Sequence, residues 1–174
     1  MTSRSDAVEA LEYDYPGIDP SKAVKAWRRI QEARGNMIVH VIIPGRPTGK
    51  ARPRPGTNGG YHLPKKTVTA QSFAALCATQ AMAGFDRFEE AVSMGIDIAV
   101  SPPASWSKRK RDEAICGRIR PTTKPDCDNV VKLIADAFNG IVWRDDVQVV
   151  DLTVRKRYAL SDCTTVIVRR AEAA

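Results

Sequence analysis

The sequence predicts an α+β domain: a mixed β-sheet with helices packed mainly on one face, preceded by an N-terminal helical extension. Three observations carry that prediction. The chain has 174 residues, 43% of them hydrophobic, which suits one globular domain with a proper core. β-rich runs occur at 37–43, 92–100, 147–156 and 164–170. Helical patterns lie among them, at 67–83, 105–117 and 128–138.

Residues 1–36 read as the extension and 37–174 as the domain. Residues 1–20 carry Asp6, Glu9, Glu12, Asp14 and Asp19 against Arg4 alone, and Pro16-Gly17 and Pro20 interrupt any helix there. A helix is expected over 21–34, capped by Ser21 and ended by Gly35, with Ala23, Ala26, Trp27 and Ile30 on one face. The first strand begins at Met37 and closes at Pro44-Gly45. A Gly/Pro-rich loop over 46–66 follows, with Arg46, Lys50, Arg52, Arg54, Lys65 and Lys66 and no acid. Residues 67–83 read as a helix with Phe73, Leu76, Cys77 and Gln80 on one surface, ended by Gly84. Val92 to Val100 alternates as a strand, and Ser101-Pro102-Pro103 turns the chain. A charged helix over 105–117 is capped by Ser105 or Ser107 and carries Lys108–Arg111 in its first turns. Pro121 and Pro125 keep 119–125 extended. The best-defined helix runs from Asp128 to Phe138, with Val130, Leu133, Ile134, Ala137 and Phe138 as its apolar stripe and Asn139-Gly140 as its stop. Val147–Lys156 and Thr164–Arg170 read as two antiparallel strands joined by a turn over Ala159–Asp162.

The net charge is +7 and the pI about 9.4, which favours polyanionic partners, nucleic acid first. Cys77, Cys116, Cys127 and Cys163 form no CxxC pair, and His40 and His62 are the only histidines, which argues against a structural zinc site. The cysteines read as reduced, mostly buried thiols of a cytoplasmic protein. The first residues lack the apolar core of a signal peptide, and no apolar run reaches membrane-span length.

Against this basic background, Pro125-Asp126-Cys127-Asp128-Asn129-Val130-Val131-Lys132 and Trp143-Arg144-Asp145-Asp146 gather four carboxylates and a lysine. Crowded carboxylates repel, and a divalent cation between them removes that cost. Asp126 and Asp128, two apart in an extended segment, point the same way. Asp128 also stands where it caps the helix. Asp128, Lys132 and Asp136 share a helical face opposite the apolar stripe, with Asp136 as plain polar surface. One of Asp145-Asp146 can swing back towards the helix start. Three carboxylates from two loops then make the oxygen ligand set that Mg²⁺ prefers, with room for water and phosphate. Each feature alone has a plainer reading: a turn, a cap, a solvated lysine. Together, in a basic chain, they point to metal-dependent chemistry on a polyanion.

The pattern P-D-x-D-N-x-x-K, then D-A-x-N-G-x-x-W-x-D-D-x-Q-V-V, runs from Pro125 through Val150 and resembles the signature of the RusA family of Holliday junction resolvases. Ile43-Pro44-Gly45-Arg46-Pro47, Lys50-Ala51-Arg52-Pro53-Arg54 and Tyr61-His62-Leu63-Pro64-Lys65-Lys66-Thr67 resemble the N-terminal half of its phage and prophage members. The resemblance spans residues 37–170 and leaves 1–36 outside. It implies a homodimeric endonuclease that binds four-way DNA junctions and nicks two opposed strands with Mg²⁺ or Mn²⁺, in a bacterial host cell and of phage or prophage origin. Carried over by position, Asp126, Asp128 and Asp146 are the essential carboxylates, Lys132 the essential lysine and Asp145 a further metal ligand. Cys127 replaces an often aliphatic residue, and Asn129 orients Asp128 or a phosphate. Arg46, Lys50, Arg52, Arg54, Lys65, Lys66 and Asn129 are the expected nucleic-acid contacts, with Tyr61 or His62 stacking at a junction centre. Lys108–Arg111 are either phosphate contacts or the outer face of a helix. The rival readings are a flap or fork nuclease and a non-catalytic branched-DNA-binding recombination accessory protein.

Overall fold

The computed structural model describes residues 37–55 and 59–172, so the helix expected over 21–34 lies outside the described residues. The elements in chain order are β1 (Ile38–Pro44), β2 (Arg54–Pro55), β3 (Tyr61–His62), α1 (Lys65–Met82), β4 (Val92–Val100), α2 (Lys108–Ile115), α3 (Cys127–Phe138), a 3-10 turn (Asp146–Gln148), β5 (Val149–Tyr158) and β6 (Cys163–Arg170). The main sheet has the order β1-β6-β4-β5. It is mixed, as expected: β4 runs parallel to β5 and antiparallel to β6.

Alternation builds the core. Val92, Met94, Ile96 and Ile98 of β4, Val166 and Val168 of β6, and Val39 and Val41 of β1 are all buried. Met94 lies opposite Val168 on one side and Leu152 on the other, so the apolar rows run across the strands. Asp97 belongs to the opposite, polar face and accepts from Arg157 at 2.8 Å. α3 supplies Val130, Leu133, Ile134, Ala137 and Phe138 to the core, the stripe its spacing predicts. Each large apolar side chain so buried contributes about 1.5–3 kcal/mol.

Three local expectations change. The strands β5 and β6 oppose each other in direction but do not pair; β4 lies between them. The residues after β5 cross the end of β4, where Ala159 donates to the Val100 carbonyl at 3.0 Å and Ser101 donates to Asp162 Oδ1 at 2.5 Å. The buried, apolar β4 thereby gains a neighbour on both edges, which satisfies its backbone groups. In α1 the buried residues are Thr67, Ala74, Ala78 and Met82, whereas Phe73 and Leu76 are exposed. α1 packs against α3, and alanines at the contact allow close approach. Among the cysteines, Cys116 is exposed and the other three are half-buried rather than buried; burial pushes the Cys77 thiol up. In α2, Ser107 rather than Ser105 is the cap, accepting from the Lys110 N–H at 3.4 Å.

Candidate active site

The start of α3 is set from below by β5. The ammonium of Lys156 donates to the carbonyls of Thr123 at 2.7 Å and Pro125 at 3.0 Å, which ties down the segment leading into the helix. Asp126 takes the cap position with extended backbone, and Asp128 falls within the first turn, so the expected capping role of Asp128 is not observed. Neither carboxylate is consumed by a capping hydrogen bond. Both are exposed. The Asn129 amide donates to Asp126 Oδ2 at 3.4 Å; it faces Asp126, not Asp128. Lys132 Nζ stands 3.6 Å from Asp128 Oδ2, with both side chains 64% exposed. Such an exposed i,i+4 pair contributes only about 0.3–0.5 kcal/mol, so both groups are free to turn to a ligand.

A basic arm lies beside this helix start. Lys50 donates its backbone N–H to the Asn129 carbonyl at 2.7 Å, and its ammonium pairs with the Asp136 carboxylate. Further along, Arg54 and Pro55 pair with His62 and Tyr61 in a short two-stranded hairpin. Arg46, Arg52, Arg54, Lys65 and Lys66 are exposed. Tyr61 is exposed too, as stacking on a base requires. On α2, Arg109 pairs with Glu113 at 3.3 Å and Lys110 lies 4.1 Å from the centre of the Trp106 ring.

The far end of α3 is built differently. Gly140 at φ +74° reverses the chain, and its N–H donates to the Trp143 carbonyl at 2.8 Å. Trp143 is fully buried, packs on Phe138 at 5.6 Å and donates its indole N–H to Asn139 Oδ1 at 2.8 Å. Gln148, only 8% exposed, locks the acidic loop that follows. Its Oε1 accepts from the N–H of Arg144 at 2.8 Å and of Asp145 at 3.1 Å. Its Nε2 donates to the carbonyls of Phe88 at 3.1 Å and Glu90 at 2.9 Å. All the ordinary capacity of a primary amide is thus used. Asp145 caps the 3-10 turn, accepting from Val147 N–H at 3.0 Å, while Asp146 is exposed. Gln148 carries no role in the sequence reading. Its signal was the Asp145-x-x-Gln148 spacing of a capping box, which the structure contains.

The two acidic groups therefore sit at opposite ends of α3, whose twelve residues span about 18 Å. Among the described residues, no group of three or more His, Cys, Asp or Glu side chains is placed to hold a metal ion. Among the described residues, the expected gathering of Asp145-Asp146 with Asp126 and Asp128 into one ligand set is not observed. Trp143 and Gln148 hold that loop at the C-terminal end of the helix.

Exposed carboxylates and a lysine beside an arm of exposed arginines, on a basic α+β domain, are the equipment of a nucleic-acid hydrolase. The family model described as Endodeoxyribonuclease RusA matches residues 44–169, and the chain belongs to that family. Membership places it among the endodeoxyribonucleases. It is also similar to the Uncharacterized protein YqaN of Bacillus subtilis (strain 168), with 38% identity over 144 residues, covering 78% of this chain and 98% of the relative.

Proposed function

We propose that the protein is a Mg²⁺-dependent, structure-specific endodeoxyribonuclease that resolves four-way DNA junctions by paired nicks, acting as a homodimer. The observation that carries this is the start of α3: Asp126, Asp128 and Lys132, all exposed, next to an arm that presents Arg52 and Arg54. Carboxylate oxygens are the donors Mg²⁺ takes, and Mn²⁺ substitutes on the same set. Mg²⁺ is ordinarily held by one or two carboxylates, with water and substrate phosphate completing the shell. Asp126 and Asp128 fit that share. Asp146, with Asp145, is a second acidic group that one chain keeps apart from the first, and a homodimer makes the partner's acidic loop available to it. When bound, the ion supplies an activated water and neutralises charge at the scissile phosphate.

The remaining roles belong to the chain. Lys132, standing beside Asp128, stabilises negative charge that develops on the phosphate. Asn129 holds Asp126 in place through their 3.4 Å contact. Arg46, Arg52, Arg54, Lys65 and Lys66 bind backbone phosphates without reading bases. Two active sites related by a two-fold axis match the two scissile strands of a symmetric junction. Among the described residues no helix is long and apolar enough to cross a membrane. A bacterial cytoplasm, with a phage or prophage origin, is the setting that this reading gives the protein.

The test is cleavage of a synthetic four-way junction, a flap and a linear duplex at equal salt, with and without Mg²⁺. Paired nicks in opposed strands of the junction, dependent on the metal, are expected. Equal rates on all three substrates, or cleavage in the presence of a chelator, overturn the proposal.

A further inference from the structure

Lys50 stands apart from the other basic residues of its loop. Arg46, Arg52, Arg54, Lys65 and Lys66 project into solvent, whereas Lys50 lies against α3 and retains about a third of its side-chain exposure, 31%. We infer that Lys50 is a positioning residue that fastens the basic arm to α3, and not one of the phosphate contacts. The inference rests on the nuclease reading above.

Three consecutive residues make the fastening. At Gly49 the arm approaches α3 so closely that an added Cβ would stand 2.8 Å from the Cβ of Asn129, closer than real side chains come. At Lys50 the backbone N–H bonds the Asn129 carbonyl at 2.7 Å and the ammonium pairs with Asp136. Asp136 lies two turns beyond Asn129, about 10 Å along the axis, so the lysine stem runs lengthwise over the helix. At Ala51 the N–H donates to Thr67 Oγ1 at 3.4 Å, and Thr67 is buried in the first turns of α1. The arm is thus joined to both helices immediately before Arg52 and Arg54 emerge.

The fastening also reaches the acids. Asn129 takes the Lys50 N–H on its backbone and offers its side-chain amide to Asp126. One residue therefore connects the root of the arm to a reacting carboxylate. Asp136 is as sheltered as Lys50, at 28% exposure, so the pair is less screened than a surface ion pair. An ammonium held by Asp136 must break that pair to reach a phosphate. Its effect is to set the distance between phosphates gripped by the arginines and the carboxylates at the start of α3. Misplacement on the scale of an ångström lowers rate far more than affinity.

The experiment uses the full chain and a four-way junction with Mg²⁺. Four variants are compared: Lys50→Met, Asp136→Asn, the double variant, and the charge-swapped Lys50→Asp/Asp136→Lys. The clamp predicts that each single lowers kcat by about 10- to 100-fold. Junction Kd and the slope of log K against log salt should hardly move. The double should be no worse than the poorer single, and the swap should recover part of the rate. The opposite pattern overturns it: Lys50→Met weakens binding and reduces the salt slope by about one, as loss of a phosphate contact does, while Asp136→Asn is silent. If Lys50→Met loses its cooperative melt, Asp136→Asn and Lys50→Arg give the same readout, with Lys50→Arg retaining the rate. Should the wild type cut no junction, the nuclease reading fails, and hydrogen exchange of residues 52–66 decides the clamp separately. Faster exchange in both singles supports it; unchanged exchange in both refutes it.

Discussion

The two ends of α3 carry acids of similar sequence character in opposite physical states. At the N-terminal end, Asp126, Asp128 and Lys132 are exposed, with Asn129 steadying Asp126 at 3.4 Å and Lys132 pairing with Asp128 at 3.6 Å. At the C-terminal end, Asp145 and Asp146 sit on a loop locked by a buried tryptophan and a glutamine with four hydrogen bonds. One end is left open for a ligand, and the other is a rigid platform that presents its acids. On the proposed function, the open end supplies the groups that engage metal and phosphate, and the platform presents the second acidic group.

The largest effect should come from neutralising the open end. Asp126→Asn is expected to abolish junction cleavage while leaving junction binding intact or tighter, measured by gel cleavage and by a mobility shift. A variant that still cuts in Mg²⁺, or that unfolds, breaks the contrast. Next comes the locked end. Gln148→Leu should destabilise the fold by about 3 kcal/mol, because it strips the buried Phe88 carbonyl and the part-buried backbone groups of Arg144, Asp145 and Glu90 of the glutamine they bond. Denaturant unfolding reads this directly, and a loss below about 0.5 kcal/mol would show that the platform is not held as described. Lys132→Ala should lower the rate by about 10²-fold while changing stability by less than about 0.5 kcal/mol, since its exposed pair with Asp128 contributes little. A fall in stability without a fall in rate makes Lys132 a structural residue. The smallest effect is expected from Arg52→Ala: a uniform weakening across junction sequences, with the salt slope reduced by about one.

The legible parts of this protein are those whose signal is short-range. The α3 stripe is visible because residues three and four apart share a helix face, and the β4 alternation because residues two apart share a sheet face. The Asp128–Lys132 pair is visible for the same reason, whereas Asp126 and Asp128 do not share an extended segment, because α3 begins at Cys127. The buried face of α1 was misjudged because size suggested Phe73 and Leu76, whereas close packing on α3 selected Ala74 and Ala78. The position of the Asp145–Asp146 loop is not legible because its anchor is long-range: Gln148 reaches the carbonyls of Phe88 and Glu90.

By itself the sequence determined the class of fold, the start and stop of α3, the basic arm and the acids that make this chain a nuclease candidate. These follow from periodicity, capping chemistry and charge, which act over a few residues. Only the tertiary structure decided that β4 enters between β5 and β6, that Lys50 meets Asp136, and that Gln148 reaches Phe88 sixty residues away. Such pairings follow from which buried polar groups and strand edges must find partners once the chain is compact, and sequence spacing carries no record of that choice.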